Sequence, residues 1–280
     1  MKIGRIIKRL FSISFSIYFI GTLGGILMYF LEVLGRIQFH NYENLPLWEG
    51  KLILASTHPS WLDVVIVPLL YFPWWFREIL KKPKDFFILP RKVIEKKPLS
   101  YIFTQDFKDI PVSMADEYNL RSFRWLLEDI ALFINREEDE IVNRSTLLRR
   151  AIEILRDNRR IVIFPGGGRD FKAEQYGDGI YDIKTQKLIL RTPKPGIGQM
   201  VKSTGAPIVP IRLEGTEKVL PNQYNERLPV FLRWTRYFPR VWRRTIVKIG
   251  KPIRLPKGTD ERVVLQEYIK AQIVLFHEGR

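Results

Sequence analysis

The sequence predicts an α/β fold, a mainly parallel mixed sheet flanked by helices, with a membrane-inserted helical segment at its N-terminus. Three observations carry that prediction. Short apolar runs rich in β-branched and aromatic residues alternate with helical stretches along most of the chain. Strands alternating with helices are covered on both faces and pair mainly in parallel. The segment from Leu10 to Leu31 carries no charge, and Lys2, Arg5, Lys8 and Arg9 lead into it. An apolar fraction of 46% over 280 residues supplies one large core and argues against global disorder.

The uncharged segment divides the chain into residues 1–40, a membrane-anchoring helical segment, and 41–280, the α/β domain. Twenty-two residues from Leu10 to Leu31 rise about 33 Å as a helix, enough to cross a hydrocarbon core of about 30 Å. Ser12, Ser14, Ser16, Gly21, Gly24 and Gly25 dilute the run, which leaves other readings open. One is a hairpin bent at Gly24-Gly25 that sinks into a single leaflet. Another is a secretory signal, although no small-x-small cleavage site closes the run. The last is a buried core helix. Basic residues stay on the cytoplasmic side, so a leaflet-embedded hairpin would keep the domain on the cytoplasmic face of the inner (plasma) membrane.

The strands follow in order: KLILAST (51–57), DFFILP (85–90), RIVIFP (160–165), PIVPIRL (207–213) and TIVKIG (245–250). Each is short and bounded by proline, glycine or charge. Helical periodicity marks 119–134, 145–157 and a last amphipathic stretch from Thr259 to Phe276, capped by Thr259 or Asp260. Asn158 falls between a helix and a strand and suits the left-handed conformation of a tight helix end. Two prolines in 207–213 confine that strand to an edge, a bulge or a site wall.

The formal charge of +16 requires an anionic partner, whether nucleic acid, an acidic membrane surface or a phosphorylated substrate. The chain has no cysteine, which excludes disulfides, thiolate catalysis and cysteine-ligated zinc, and fits an intracellular setting. His40, His58 and His277 are its three histidines. A three-histidine metal site would need all of them, so neither metal nor cofactor is expected.

Three constellations carry chemistry. In Thr57-His58-Pro59-Ser60-Trp61-Leu62-Asp63, a histidine needs a partner on its far nitrogen to fix its tautomer and act as a base. Five residues along a helix turn about 500°, which would leave His58 and Asp63 on different faces. The pair therefore meets only if His58 lies in the loop ahead of a helix, with Pro59 in that helix's first turn. In Phe164-Pro165-Gly166-Gly167-Gly168-Arg169, consecutive glycine N–H groups can turn inward as an anion nest, and the arginine adds a forked donor. Gly205-Ala206-Pro207-Ile208-Val209-Pro210-Ile211 follows, with Lys194-Pro195-Gly196 upstream.

In this order the constellations resemble the glycerophosphate and lysophosphatidate acyltransferase superfamily, over roughly residues 45–255. Its members read N-H-x-x-x-x-D, a basic stretch, an I-P-V-like strand, F-P-E-G-T-R, K-x-G and G-x-P-I-V-P-V. The matches are His58 and Asp63; Arg91 and Lys92; Ile110-Pro111-Val112; Phe164, Pro165, Gly167 and Arg169; Lys194 and Gly196; and Gly205 through Ile211. The resemblance implies an O-acyltransferase like the 1-acyl-glycerol-3-phosphate enzymes. His58 would be the general base and Asp63 its orienting partner, with no acyl-enzyme intermediate. Gly166, Gly167, Gly168, Arg169, Arg91, Lys92 and Lys194 would bind substrate. The donor would be acyl-CoA or acyl carrier protein, and the acceptor a lysolipid.

The chain departs from the pattern at four positions. Thr57 replaces the asparagine, Gly166 the glutamate, Gly168 the threonine, and Met114 the arginine of the second motif. The family's glutamate and arginines meet the glycerophosphate head group, so a simple lysophosphatidate or glycerol phosphate acceptor is in doubt. The stretches 115–145 and 172–190 are longer than is typical. A non-catalytic, membrane-associated lipid-binding protein on the same fold is the alternative function.

FLRWTRYFPRVWRRT (231–245) and YFPWWFREILKK (71–82) interleave arginine with aromatic rings. That composition suits an anionic membrane interface and could also stack single-stranded nucleic acid. The uncharged run in the same chain favours the membrane, and no nucleic-acid partner is expected.

Overall fold

Leu52–Ser56, the apolar run after Lys51, is the strand around which the domain is built. It lies between two parallel neighbours and every one of its residues is buried. The computed structural model describes residues 22–46, 49–60, 62–71, 111–116, 131–134, 140–220 and 240–278. In chain order the strands are β1 (Ile37–His40), β2 (Leu52–Ser56), β3 (Val112–Asp116), β4 (Ala131–Ile134), β5 (Arg160–Ile163), β6 (Gly179–Tyr181), β7 (Leu188–Arg191), β8 (Ile208–Glu214) and β9 (Thr245–Ile249). The helices are α1 (Thr22–Val33), α2 (Asp63–Leu69), α3 (Glu140–Arg156), α4 (Ala173–Tyr176), α5 (Gly196–Thr204), α6 (Thr216–Val219) and α7 (Glu261–His277).

Seven strands form one sheet in the order β1-β9-β8-β2-β5-β3-β4. Every pairing in it is parallel except β8 with β9. One apolar cluster joins α1 and α2 to β2, β8 and β9 on one face; the other joins α3, α5 and α7 to β2, β5 and β8. This is the mixed, mainly parallel α/β sheet that the sequence predicts. Leu54 is fully buried in the first cluster. Leu54→Ala is expected to lower stability by about 2–5 kcal/mol, read as a fall in the urea midpoint; a loss under about 1 kcal/mol would show that the site collapses around the gap.

The strands expected near 51–57, 160–165, 207–213 and 245–250 are β2, β5, β8 and β9. The expected helices at 145–157 and 259–276 are α3 and α7. Asp260 caps α7, accepting the Arg262 N–H at 2.8 Å. Asn158 adopts φ 59° and its Oδ1 accepts the Lys51 N–H at 3.1 Å. The expected strand 85–90 lies outside the described residues.

Four expectations need correction. The last four residues of the helix read over 119–134 form a strand instead, and 119–130 lie outside the described residues. Ala131–Ile134 pairs in parallel with β3, and an apolar tetrapeptide of that kind joins a sheet edge whatever the periodicity before it. The bend expected at Gly24-Gly25 is not there, because α1 runs through both residues. A Cβ on Gly24 would come within 2.9 Å of Leu69, so this glycine lets α1 press on α2. Pro59 stands ahead of α2, which begins at Asp63, and not in its first turn. Tyr71, read as part of an interfacial patch, is fully buried beneath the Arg160 guanidinium, 4.3 Å from its ring.

β8 is an interior strand, so of the options open for its prolines the bulge is the one realised. Ile211 pairs with Ile249, whereas Ile208 bridges Ile253. The register therefore slips across Pro210, where a missing N–H costs no ladder bond. Among the described residues no helix is long and apolar enough to cross a membrane; most of the Leu10–Leu31 run lies outside them.

Candidate active site

The candidate site forms where β2 and β5 end side by side, the carboxyl edge at which parallel sheets place their loops. β2 stops at Ser56. Thr57 then ties the loop to β8: its Oγ1 accepts the Leu213 N–H at 3.0 Å, and its own N–H donates to Ile211 at 3.1 Å. His58 follows in the loop, ahead of α2, as the spacing requires.

His58 Nδ1 and Asp63 Oδ2 lie 3.0 Å apart. An ionised carboxylate only accepts, so it selects the Nδ1–H tautomer and leaves Nε2 as the basic nitrogen. The Asp63 side chain is fully buried, and that of His58 is 14% exposed. Asp63 is also held by the loop ahead of its helix. Its Oδ2 accepts the Ser60 N–H at 2.6 Å, and Ser60 Oγ accepts from Leu62 at 3.3 Å. The Asp63 carboxylate thus closes the turn from Ser60 that leads into α2. One carboxylate oxygen serves both the turn and the His58 ring.

Burial holds Asp63 above the usual carboxylate range, while the bond to His58, the His58 charge, the Ser60 N–H and Thr216 pull it down. Asp63 Oδ1 and Thr216 Oγ1 are both buried without a hydrogen bond of standard geometry. Thr216 opens α6, and its hydroxyl is the group placed to steady that oxygen. The Phe164 ring stacks on His58 with centroids 4.2 Å apart and planes inclined 24°. His58 is thereby fixed on one edge and one face.

The glycine loop turns tightly after β5: Gly167 N–H donates to Phe164 at 2.9 Å, with Gly167 at φ 71°. Lys194 reaches it through the backbone, donating to Pro165 at 2.8 Å. Gly166, Gly167, Gly168, Arg169 and Lys194 therefore share one region with His58 and Asp63. Arg91 and Lys92 lie outside the described residues. Met114, where the family has an arginine, packs against the second core cluster.

Sequence reading missed four residues of this site. Asp170 bonds the His58 backbone twice, and Thr216 faces Asp63. Asp178 lies on the long 172–190 stretch and Arg191 directly follows it, in the segment that folds into α4 and the β6–β7 hairpin. Arg191 Nε and Nη2 donate to the two Asp178 carboxylate oxygens at 2.9 and 2.6 Å. That bond is the main cause that holds the Asp178 carboxyl below its ordinary range. A Cβ built on Gly166 would stand 2.7 Å from Arg191 Cβ, and one on Gly168 would stand 2.8 Å from Arg191 Nη1. Arg191 fills the room where the family's glutamate and threonine would project. The length of 172–190 was the one available signal. Among the described residues no group of three or more His, Asp or Glu side chains could hold a metal ion.

A loop histidine whose Nδ1 is held by a buried aspartate, beside a glycine loop at a parallel sheet edge, can accept a proton at Nε2. The acyltransferase family model matches residues 97–214. That match agrees with the superfamily likeness read from the motif order and runs through the second and third motifs to the end of β8. His58 and Asp63 precede the matched range, so their role rests on their geometry. A search of curated protein sequences finds no match. Among solved structures the chain is similar to the 1-acyl-sn-glycerophosphate acyltransferase PlsC from Thermotoga maritima, with a TM-score of 0.47 and 15% identity, over 100% of this chain and 98% of that one.

Proposed function

We propose that this protein is an O-acyltransferase that moves a fatty acyl group from an acyl-CoA or acyl-carrier-protein thioester to a hydroxyl of a lysophospholipid or related lipid. The observation that carries the reading is the 3.0 Å contact between His58 Nδ1 and the buried Asp63. His58 Nε2 takes the acceptor's hydroxyl proton while Asp63 steadies the imidazolium that forms. The freed oxygen attacks the thioester carbonyl and forms a tetrahedral oxyanion. Collapse expels the thiolate, which takes the proton back from His58. One C–S bond breaks, one C–O bond forms, and no acyl-enzyme is needed in a chain without cysteine. Arg169, Lys194 and the 166–168 backbone, together with Arg91 and Lys92, hold an anionic group of donor or acceptor.

The reaction takes place at a lipid surface, on the cytoplasmic face of the inner membrane. In support, α1 exposes Leu23, Leu27, Phe30 and Val33, a helical stripe of large apolar side chains. Val241 and Trp242 are exposed beside Arg240, Arg243 and Arg244. Arg36 Nη1 donates to Trp242 O at 3.0 Å and joins this basic patch to the end of α1. Anionic head groups with acyl chains beneath them match both parts.

The non-catalytic lipid-binding reading draws on Gly166 and Gly168, which replace two conserved-type polar side chains of the third motif. One assay separates the two. Detergent-solubilised protein is given acyl-CoA or acyl carrier protein with a panel of lysophospholipids, glycerol phosphate and lyso-glycolipids, and products are read by mass spectrometry. An acylated acceptor is the expected result. Lysolipid binding without product from any donor–acceptor pair would favour the non-catalytic protein.

A further inference from the structure

Asp170 belongs to the glycine loop in sequence and to His58 in space. It follows Arg169 and opens the short 3-10 turn Asp170–Lys172. Its Oδ2 accepts the His58 N–H at 2.9 Å. Its own N–H donates to the His58 carbonyl at 2.8 Å. Both backbone polar groups of residue 58 thus end on one residue, 112 positions further along the chain. His58 sits between β2 and α2, where no ladder or helix serves its backbone, and enclosed groups of that kind need named partners. Three fixings then define the base: Asp63 on Nδ1, Phe164 on the ring face, and Asp170 on the main chain. Two of the three come from the segment that follows β5.

We infer that Asp170 is a positioning residue for the transfer reaction, locking the His58 backbone to the glycine loop and lending negative charge to the imidazolium formed during proton abstraction. The inference rests on the reading of His58 as the base. The charged and titratable groups around Asp170 come from four elements: His58 from the loop after β2, Asp63 from α2, Arg212 from β8 and Tyr268 from α7. Arg212 is committed elsewhere, with Nε on Glu214 at 2.9 Å and Nη1 on Ile189 O at 2.6 Å. Tyr268 OH accepts from Gln272 Nε2 at 3.1 Å. Asp170 therefore has His58 as its hydrogen-bonded partner and Arg212 as a more remote cation.

Burial raises the Asp170 carboxyl to about 6, with the His58 charge and its N–H opposing and Asp63 adding to the rise. A raised carboxyl is ionised above that value and neutral below it. Asp170→Asn keeps an acceptor oxygen and the side-chain volume but is neutral at every pH, so it mimics the protonated wild type. At pH 8 its kcat should be about tenfold to a hundredfold lower than wild type, as expected for a misplaced and less stabilised base. KM for the acceptor should hold steady. The wild-type to variant ratio should fall toward one at pH 5, because wild-type Asp170 is then itself protonated and neutral.

The experiment measures kcat and KM from pH 5 to 8 for wild type, Asp170→Asn and His58→Ala, with palmitoyl-CoA and the fastest acceptor of the panel. A ratio that is flat across this range, or Asp170→Asn as fast as wild type at pH 8, overturns the inference. Turnover retained in His58→Ala would instead overturn the reading of the base. A second readout needs neither turnover nor a folded variant. The His58 backbone amide signal of nitrogen-15-labelled wild type should shift as pH falls through about 6, when its acceptor gains a proton. No shift in that window also overturns the proposal.

Discussion

His58→Ala is expected to lower kcat by about 10²–10⁴, the usual loss on removing a general base. The magnitude follows from how the ring is held. Nδ1 is committed to Asp63 and the ring face to Phe164, while Nε2 bonds no group among the described residues. Alanine removes the basic nitrogen and leaves the acceptor hydroxyl's proton without a destination. Asp63 stays buried but loses a partner that lowers its pKa, so it takes up a proton and does not persist as an unpaired charge. The variant should remain folded and should still bind lipid vesicles, since the surfaces offered for membrane contact lie on α1 and around Trp242. The check is acyl transfer beside a vesicle-flotation assay and a thermal melt. Turnover within about threefold of wild type would remove His58 from the mechanism.

Two carboxyls of this site, Asp63 and Asp170, have pKa values raised in the fold. A group whose folded value exceeds its unfolded value binds its proton more tightly when folded. Its contribution to stability is therefore present at low pH and is lost as pH rises through the folded value. Near neutral pH both residues cost the fold stability. Side chains kept in that condition, around one histidine at a sheet edge, fit a catalytic purpose better than a packing one.

The sheet was legible because its strands announce themselves. Ile53, Ile161, Val209 and Val247 stand in runs that are apolar on both faces, as a covered parallel sheet requires. The His58–Asp63 pair was legible because one fixed interval, read against helical geometry, allows a single arrangement. β4 was not, since four apolar residues after a periodic stretch carry no mark of helix or strand until β3 lies beside them. Asp170 was hidden for another reason. Its role depends on a loop of six residues folding back across the end of β2, and no local rule places a carboxylate against a backbone 112 positions away. Arg191 was hidden in the same way, being delivered to the glycine loop by a hairpin that the sequence marks only by its length.

That hairpin makes the second large effect predictable. Gly166→Glu restores the side chain that the superfamily carries at this position, yet it is expected to reduce transfer by about 10²-fold. The new Cβ would stand 2.7 Å from Arg191 Cβ. Arg191 is buried and paired through two hydrogen bonds with Asp178, so it does not swing aside. The loop must move instead, at a cost of about 1–3 kcal/mol in overpacking. Because Phe164 stacks on His58 and Asp170 bonds its backbone, a displaced loop carries His58 away from Asp63. The double variant Gly166→Glu/Arg191→Gly removes the opposing Cβ. Relative to Gly166→Glu alone, it should recover part of the lost rate, although Arg191→Gly by itself strips Asp178 of its main partner. A thermodynamic cycle of unfolding midpoints and kcat/KM across the four proteins measures this coupling. Additive losses, or a fully active Gly166→Glu, would show that Arg191 does not occupy the glutamate's room.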